Sequence, residues 1–366
     1  MTAPGAGTDV DVLVVGAGLA GLTAASDLVA AGVDVLVVDA RPRVGGRIMT
    51  VTPGEGGGGW FDLGATWHWA DQPQVHQLAE GLGVEPFAEP FTGHALHQRS
   101  RDSPAVPVEI PTPAAAFLRF TGGTEQVCRR LADLLPAGSL AMGQKVTGVG
   151  GDAGGLVVTM EGPEQSVHRT AARVVLAVPP RLVLQDIEFV PALPEPLVHV
   201  MEATPTWMSD AMKCVAVYDA PFWRGAGLSG SAFSEVGPLQ EVHDGSVPGG
   251  PGALWGFVAR DPDFRDLAPA ERVPLVVEQL RRLFGAEADD PVQYFERDWS
   301  ADSYTCERLH RHIAPEPFGH RSFSTPLWDG RLSWAGTETE AVGGGHMEGA
   351  VRSGHRAARQ VVASLR

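Results

Sequence analysis

Val10 to Val15 is an apolar run broken only by Asp11, and it leads directly into Gly16-Ala17-Gly18-Leu19-Ala20-Gly21. No other stretch limits the fold so tightly. An uninterrupted apolar run reads as a parallel strand covered on both faces. The glycines then form GxGxxG. Gly16 permits a tight turn, Gly18 lets backbone approach a pyrophosphate, and Gly21 lets the next helix pack on the strand. Leu19 to Ala31 is rich in Ala and Leu and predicts a helix that stops at Gly32, its N-terminal amides and dipole facing phosphate. Val33 to Val38 predicts a second strand delivering Asp39, 23 residues after Gly16, where an acid binds adenosine ribose hydroxyls. A lone GxGxxG is weak evidence. Strand, helix, second strand and acid together make a dinucleotide-binding unit.

Bulk properties narrow the class. The chain has 366 residues, which suits two intertwined domains better than one. Glycine (45) and proline (29) make up about a fifth of it, below the level that signals disorder. The net charge of -16 argues against nucleic-acid binding and mildly favours attraction of cations such as protonated amines, although an acidic, soluble surface explains it more simply. Cys128, Cys214 and Cys306 form no disulfide framework. Met1 to Val10 has neither a basic nor an apolar leader pattern, and no run of 18 apolar residues occurs, so the expectation is a cytoplasmic enzyme without a membrane span.

Further motifs carry a family resemblance. Asp39 is followed by Ala40-Arg41-Pro42-Arg43-Val44-Gly45-Gly46-Arg47, and a nicotinamide enzyme has no need of this GGR. Asp62-Leu63-Gly64-Ala65-Thr66-Trp67 comes next, then Thr121-Gly122-Gly123 before an amphipathic stretch from Glu125 to Leu135. Lys145-Val146, the run Val174 to Pro180, Ala211-Met212-Lys213-Cys214, Pro221-Phe222-Trp223, Asp298-Trp299 and Tyr304 follow, and Trp334 to Ala350 (WAGTETEAVGGGHMEGA) closes the series. On these motifs the chain resembles the flavin-containing amine oxidases, which include monoamine, polyamine and L-amino-acid oxidases.

The resemblance implies an α/β fold in which an FAD-binding Rossmann-like (glutathione-reductase-like) domain is intertwined with a smaller α+β substrate domain. The expected FAD domain takes residues 1–70, 115–180 and 300–366, and the substrate domain 71–114 and 181–299. Strands are expected at Met212 to Tyr218 and Ala253 to Val258, and a helix at Pro269 to Phe284. The family's helical subdomain looks shortened between Leu96 and Phe117. The implied cofactor is non-covalent FAD, because Arg308 stands where covalent relatives have cysteine and Cys306 lies two residues early. The expected cofactor contacts are Gly16, Gly18, Gly21, Asp39, Arg41, Gly46, Arg47, Gly64, Ala65, Thr66, Val146, Trp299, Tyr304, Gly336, Glu338 and Met347. Gly336 would approach the flavin tail, polar side chains near it would meet ribityl hydroxyls, and Gly343 to Gly345 would let backbone pass a flat ring. Met347 to Ser364 predicts a helix whose N-terminus stabilises negative charge on the reduced flavin.

The implied reaction takes a hydride equivalent from the carbon next to an amine nitrogen and returns electrons to dioxygen as peroxide. The expected partners are a small-molecule amine and O2, with no nucleic acid or membrane, and homodimerisation is left open. Lys213 matches the family lysine that holds a water against the flavin, and flavin reoxidation is its expected role. Trp299 belongs to the aromatic segment near the flavin and, with Lys213 and His346, is an expected catalytic residue. Trp67, Leu309 and His346 are the expected substrate-lining residues, and Leu309 and His346 occupy the two positions that carry aromatic rings in monoamine oxidases. His346 reads either as a hydrogen-bonding or basic group or as a structural histidine. The run His310, Arg311, His312 and His320 lacks matching carboxylates or cysteines, so no metal is expected. A desaturase, another tailoring flavoenzyme, or a flavoprotein with little turnover remains the alternative.

Overall fold

The computed structural model describes residues 8–54, 58–109, 117–152, 154–163, 165–307 and 318–366. Leu309, together with Arg308, His310, Arg311 and His312, lies outside them. The first strand β1 (Val10–Val15), the helix α1 (Leu19–Ala30) and the second strand β2 (Val35–Asp39) follow one another as the sequence predicts. β1 is apolar throughout because both of its faces are covered. Val12 and Val14 pack with α1 and the C-terminal helix Met347–Leu365, while Leu13 and Val15 pack on the opposite side with Met201, Phe323 and Trp334. Asp11, the exception in the run, accepts the Asp34 amide at 3.1 Å. β2 begins two residues later than expected, because Gly32 (φ +80°) and Val33 close α1. The Val33 amide reaches back to the Leu28 carbonyl at 3.0 Å and the Gly32 amide to Val29 at 2.9 Å, a left-handed C-terminal cap.

Five strands form the parallel core of the first sheet, in the order Leu140–Met142, β2, β1, the end of Ser166–Leu176, and Leu332–Trp334. The antiparallel strands Gly155–Glu161 and Lys145–Asp152 extend it through the first half of Ser166–Leu176. Glu188–Val190, inside the span expected to belong to the substrate domain, pairs instead with Lys145–Asp152 of this sheet. Each parallel strand delivers its carboxyl end to the same side: Gly16, Asp39, Ala177 and Ala335-Gly336 stand there together. In an open α/β sheet this is where ligands bind.

Among the described residues the second sheet has seven strands, ordered Gln293–Asp298, Met212–Tyr218, Gly252–Val258, Leu239–Asp244, Leu228–Ser234, His94–Gln98 and Val106–Val108. One face, with Met212, Cys214, Ala216 and Tyr218, packs on the helix Pro269–Phe284 through Val276, Leu280 and Leu283. The opposite face, with Val215, Val217 and Trp255, packs on Phe61 and Leu63 of the first unit. By the two-residue period of a strand, Lys213 belongs to this second face. Among the described residues, no helix is long and apolar enough to cross a membrane.

Candidate active site

Gly16 has φ +105°, and a Cβ there would lie 2.8 Å from the Ala177 carbonyl, so the turn after β1 admits only glycine. Gly21 brings α1 onto that turn: its own Cβ would stand 1.9 Å from the Gly16 carbonyl. Gly21 therefore packs helix on strand and does not reach the ligand cavity. No side chain caps α1 at Gly18, and its first turn has no acidic residue, so its leading amides are left for an anion. Asp39, at the end of β2, is nearly buried, and its carboxylate accepts the amides of Ala17 and Arg41, both at 2.8 Å. These bonds fix the carboxylate at the mouth of the groove.

A cavity of about 390 Å³ runs from this turn across both units. Gly16, Gly18, Asp39, Arg41, Gly46, Arg47, Gly64, Ala65, Thr66, Trp67, Lys213, Trp299, Tyr304, Gly336, His346 and Met347 all line it. An adjoining cavity of about 70 Å³ shares Gly16, Asp39, Arg41 and Tyr304 and adds Val146. The groove fits an extended dinucleotide. A Cβ at Gly18, Gly46 or Gly336 would meet its nearest neighbour at 4.0, 3.5 and 3.9 Å respectively, ordinary contact distances, and all three line the groove, so backbone there is bared to whatever occupies it. Of the three late glycines, only Gly345 lines the cavity. Gly343 and Gly344 are small for packing instead: a Cβ on them would collide with Glu348, and with the Glu340 carbonyl and Phe318.

Arginines fasten the halves together. Arg41 pairs with Asp302 at 2.8 Å and donates to Thr305, which holds the segment carrying Trp299 and Tyr304 over the groove. Trp299 donates its indole N–H to the Leu63 carbonyl at 3.0 Å. Arg47 makes a two-pronged pair with Glu338, at 2.5 and 3.0 Å, across 291 residues of chain. Glu338 has no exposed surface. The sequence reading expects it to meet the cofactor; in the structure its carboxylate accepts from Arg47 and from the Trp207 amide. Glu348 of the same C-terminal motif caps the helix Pro73–Gly81, accepting the Gln74 and Val75 amides at 3.0 Å.

Lys213 is 2% exposed. Its ammonium donates to the Thr66 hydroxyl, lies 3.5 Å from the Gly64 carbonyl, and sits 3.8 Å from the centre of the Trp255 ring. Burial disfavours its charge and lowers its pKa from 10.5 to about 7, partly offset by the carboxylate of Asp62. This burial excludes a solvent-facing strand position for the lysine.

His346 stands at the cavity mouth and forms the N-cap of the helix Met347–Leu365. Its ring meets Trp69 at 5.3 Å and Trp207 at 6.3 Å, and this partial desolvation holds its pKa below the ordinary histidine value. His68 turns the other way. It is fully buried against Phe120 at 4.1 Å, and desolvation pushes its pKa down to about 3.

Sequence reasoning missed Trp69, Trp207, Met208, Trp255 and Phe257, all of which line the cavity. Trp255 and Phe257 had a signal, since they alternate on Gly252–Val258 and register opposite Val215 and Lys213. Glu89 had none. This nearly buried carboxylate accepts the Trp67 indole N–H, and burial raises its pKa. Trp67 is thereby fixed among Phe117, His243 and Trp255, each 4.8 Å away.

The chain matches the family model for flavin containing amine oxidoreductase over residues 19–121 and 115–362. It is 30% identical to a putrescine oxidase of Kocuria rosea over 470 aligned positions, covering 96% of this chain and 95% of the relative. That alignment is longer than the 366-residue chain, so the relative carries roughly a hundred positions with no counterpart here. The flavin-containing amine oxidase B of Sus scrofa is 26% identical, with 97% of this chain and 86% of the relative covered. Among solved structures, wild-type putrescine oxidase bound to putrescine superposes with a TM-score of 0.81 at 24% identity, covering 97% of this chain and 99% of that one. Cyclohexylamine oxidase from Brevibacterium oxydans gives 0.81 at 22%, covering 98% and 99%. At these identities the two structures show likeness of fold.

Proposed function

We propose a mechanism from one premise: this chain belongs to the flavin-containing amine oxidoreductase family. It is an FAD-dependent amine oxidase acting on a small-molecule amine. The reading proposed beyond that is a hydride-type oxidation of the carbon next to nitrogen, with hydrogen peroxide as the reduced oxygen product and FAD held without a covalent bond. One observation carries it. Both ends of the chain, 291 residues apart, close on one groove that is polar at its phosphate end and aromatic at the end holding Lys213 and His346.

When bound, FAD supplies the acceptor for the hydride equivalent and the route for two electrons to dioxygen. The chain's own residues do the rest. The α1 amides, bared at Gly18, meet the pyrophosphate, and Asp39 meets the ribose. Trp67, Trp69, Trp255 and Phe257 exclude water from the reacting end, where an ammonium is disfavoured and the amine enters neutral. His346, whose charge partial desolvation disfavours, accepts a hydrogen bond from the arriving amine at the mouth. Lys213, with Thr66, holds a polar position in an otherwise apolar wall, and we assign it to the oxygen half-reaction. We further assign residues 1–70, 115–180 and 300–366 to the cofactor unit, joined by Glu188–Val190.

The desaturase or tailoring alternative is not favoured, because the relatives that match this chain along almost its whole length are amine oxidases. The test is an anaerobic visible spectrum of purified protein titrated with primary, secondary and polyamines and with amino acids. A flavin band that bleaches with an amine, then returns in air with release of peroxide, is the expected result. A flavin band that no amine bleaches overturns the reading.

A further inference from the structure

We propose that Trp207 is a specificity-determining wall of the amine pocket, selecting amines with a ring-sized apolar body, and that the Arg47–Glu338 pair is its positioning clamp. The inference rests on the amine-oxidation reading above. Trp207 and Met208 precede the strand Met212–Tyr218 and both line the cavity, yet they stay 37% and 38% exposed, which places them at its mouth. Met208 has φ +57°, a backbone conformation that side-chain-bearing residues rarely adopt and that surrounding structure must enforce.

The enforcing contacts are visible. The Trp207 amide donates to Glu338 Oε1 at 3.1 Å, and the Trp207 carbonyl accepts from Arg47 Nη1 at 2.9 Å. An ion pair that binds both backbone groups of one residue leaves that residue little freedom. The indole it holds meets Phe318 edge-on at 6.0 Å and His346 at 6.3 Å, and His346 in turn meets Trp69 at 5.3 Å. The cavity mouth is therefore walled by two indoles and an imidazole. An indole offers a large, rigid apolar face against which a flat ring can stack. A flat, ring-bearing amine gains that contact, whereas a short alkyl amine does not span to it.

The experiment uses FAD-loaded wild type, Trp207→Ala, Trp207→Phe and Glu338→Gln. Steady-state kcat and KM are measured with benzylamine and n-butylamine. Binding of 2-phenylpropan-2-amine is read from the flavin absorbance change. That compound has no hydrogen on the carbon next to nitrogen and cannot be oxidised. Trp207→Ala should weaken its binding about tenfold or more, with a similar rise in KM for benzylamine. Its kcat/KM for n-butylamine should change by less than about threefold, with FAD content unaltered, and Trp207→Phe should recover most of the loss. Glu338→Gln should weaken the ring probe in the same direction, and combining it with Trp207→Ala should add little, the signature of groups acting through each other.

Unchanged probe binding in Trp207→Ala, or equal loss for both amines accompanied by loss of FAD, overturns the inference while leaving amine oxidation standing. A wild type that oxidises n-butylamine but neither oxidises benzylamine nor binds the probe overturns the selectivity. A wild type that oxidises no amine overturns the functional reading, and this inference falls with it.

Discussion

Replacing Lys213 with methionine should raise stability at neutral pH and erase a pH dependence that the wild type carries between pH 7 and pH 10. The folded state holds this lysine at a pKa of about 7, against 10.5 for the free side chain. The gap of about 3.5 pH units corresponds to roughly 5 kcal/mol at about 1.4 kcal/mol per unit. The sign follows from the protons bound. Between these pKa values the unfolded chain carries the proton and the folded chain does not, so stability rises with pH across the window. Below pH 7 both states are protonated and the penalty is constant. At pH 7 it is about 4 kcal/mol, and by pH 10 it has fallen to about 1 kcal/mol. Methionine removes the titration. It also loses the bond to Thr66 and the contact with Trp255, which offset the two proteins by an amount that does not vary with pH. Urea unfolding of both proteins at saturating FAD, at pH 7, 8, 9 and 10, gives the difference directly. The advantage of the variant over wild type should shrink by about 3 kcal/mol across the series. A difference that stays flat with pH would refute the buried, charge-disfavoured lysine. The same variant should keep FAD and be reoxidised more slowly by oxygen in stopped flow, and an unchanged reoxidation rate removes the role assigned to Lys213.

Asp39→Ala strips two backbone amides of their acceptor and the ribose of its partner, so FAD affinity should fall about tenfold or more, and an unaltered dissociation constant counts against the contact. Glu89→Gln retains an acceptor for the Trp67 indole and should keep a near wild-type KM, whereas Glu89→Ala should lower the melting temperature and raise KM; equal behaviour of the two variants would show that the bond does not position Trp67. His346→Phe should remove an acid limb from the kcat/KM profile that begins below the ordinary histidine pKa, because desolvation lowers that value; persistence of the limb assigns it to another group.

The sequence was most informative where a pattern repeats over a few residues. β1, α1, β2 and the helix Pro269–Phe284 are local periodicities, and Lys213 stood out because its strand is otherwise apolar. Their ends were less legible, since caps decide them: Val33 is spent closing α1 and so is missing from β2. Similarly, the helix Glu125–Asp133 stops short of Leu135 because Leu134 and Leu135 tighten into three-residue turns on Leu131 and Ala132. Side-chain partnerships across hundreds of residues were not legible at all. Glu338 in a motif of small and polar residues looks like a ligand for hydroxyls, and only the fold brings Arg47 to it. Trp69 and Trp207 carry no periodic signal because they sit in irregular backbone.

The Arg47–Glu338 pair spans 291 residues, and the strand Leu332–Trp334 completes the sheet that begins with β1. A polypeptide emerging from the ribosome therefore makes its phosphate-binding turn first and must add 291 residues beyond Arg47 before the other wall of the groove exists. Half-made chains have no pocket to fill. Contacts of such long sequence separation are also the slow ones to form. Flavin capture should thus come late and abruptly during biosynthesis, so the yellow colour of the holoprotein marks molecules whose topology is finished.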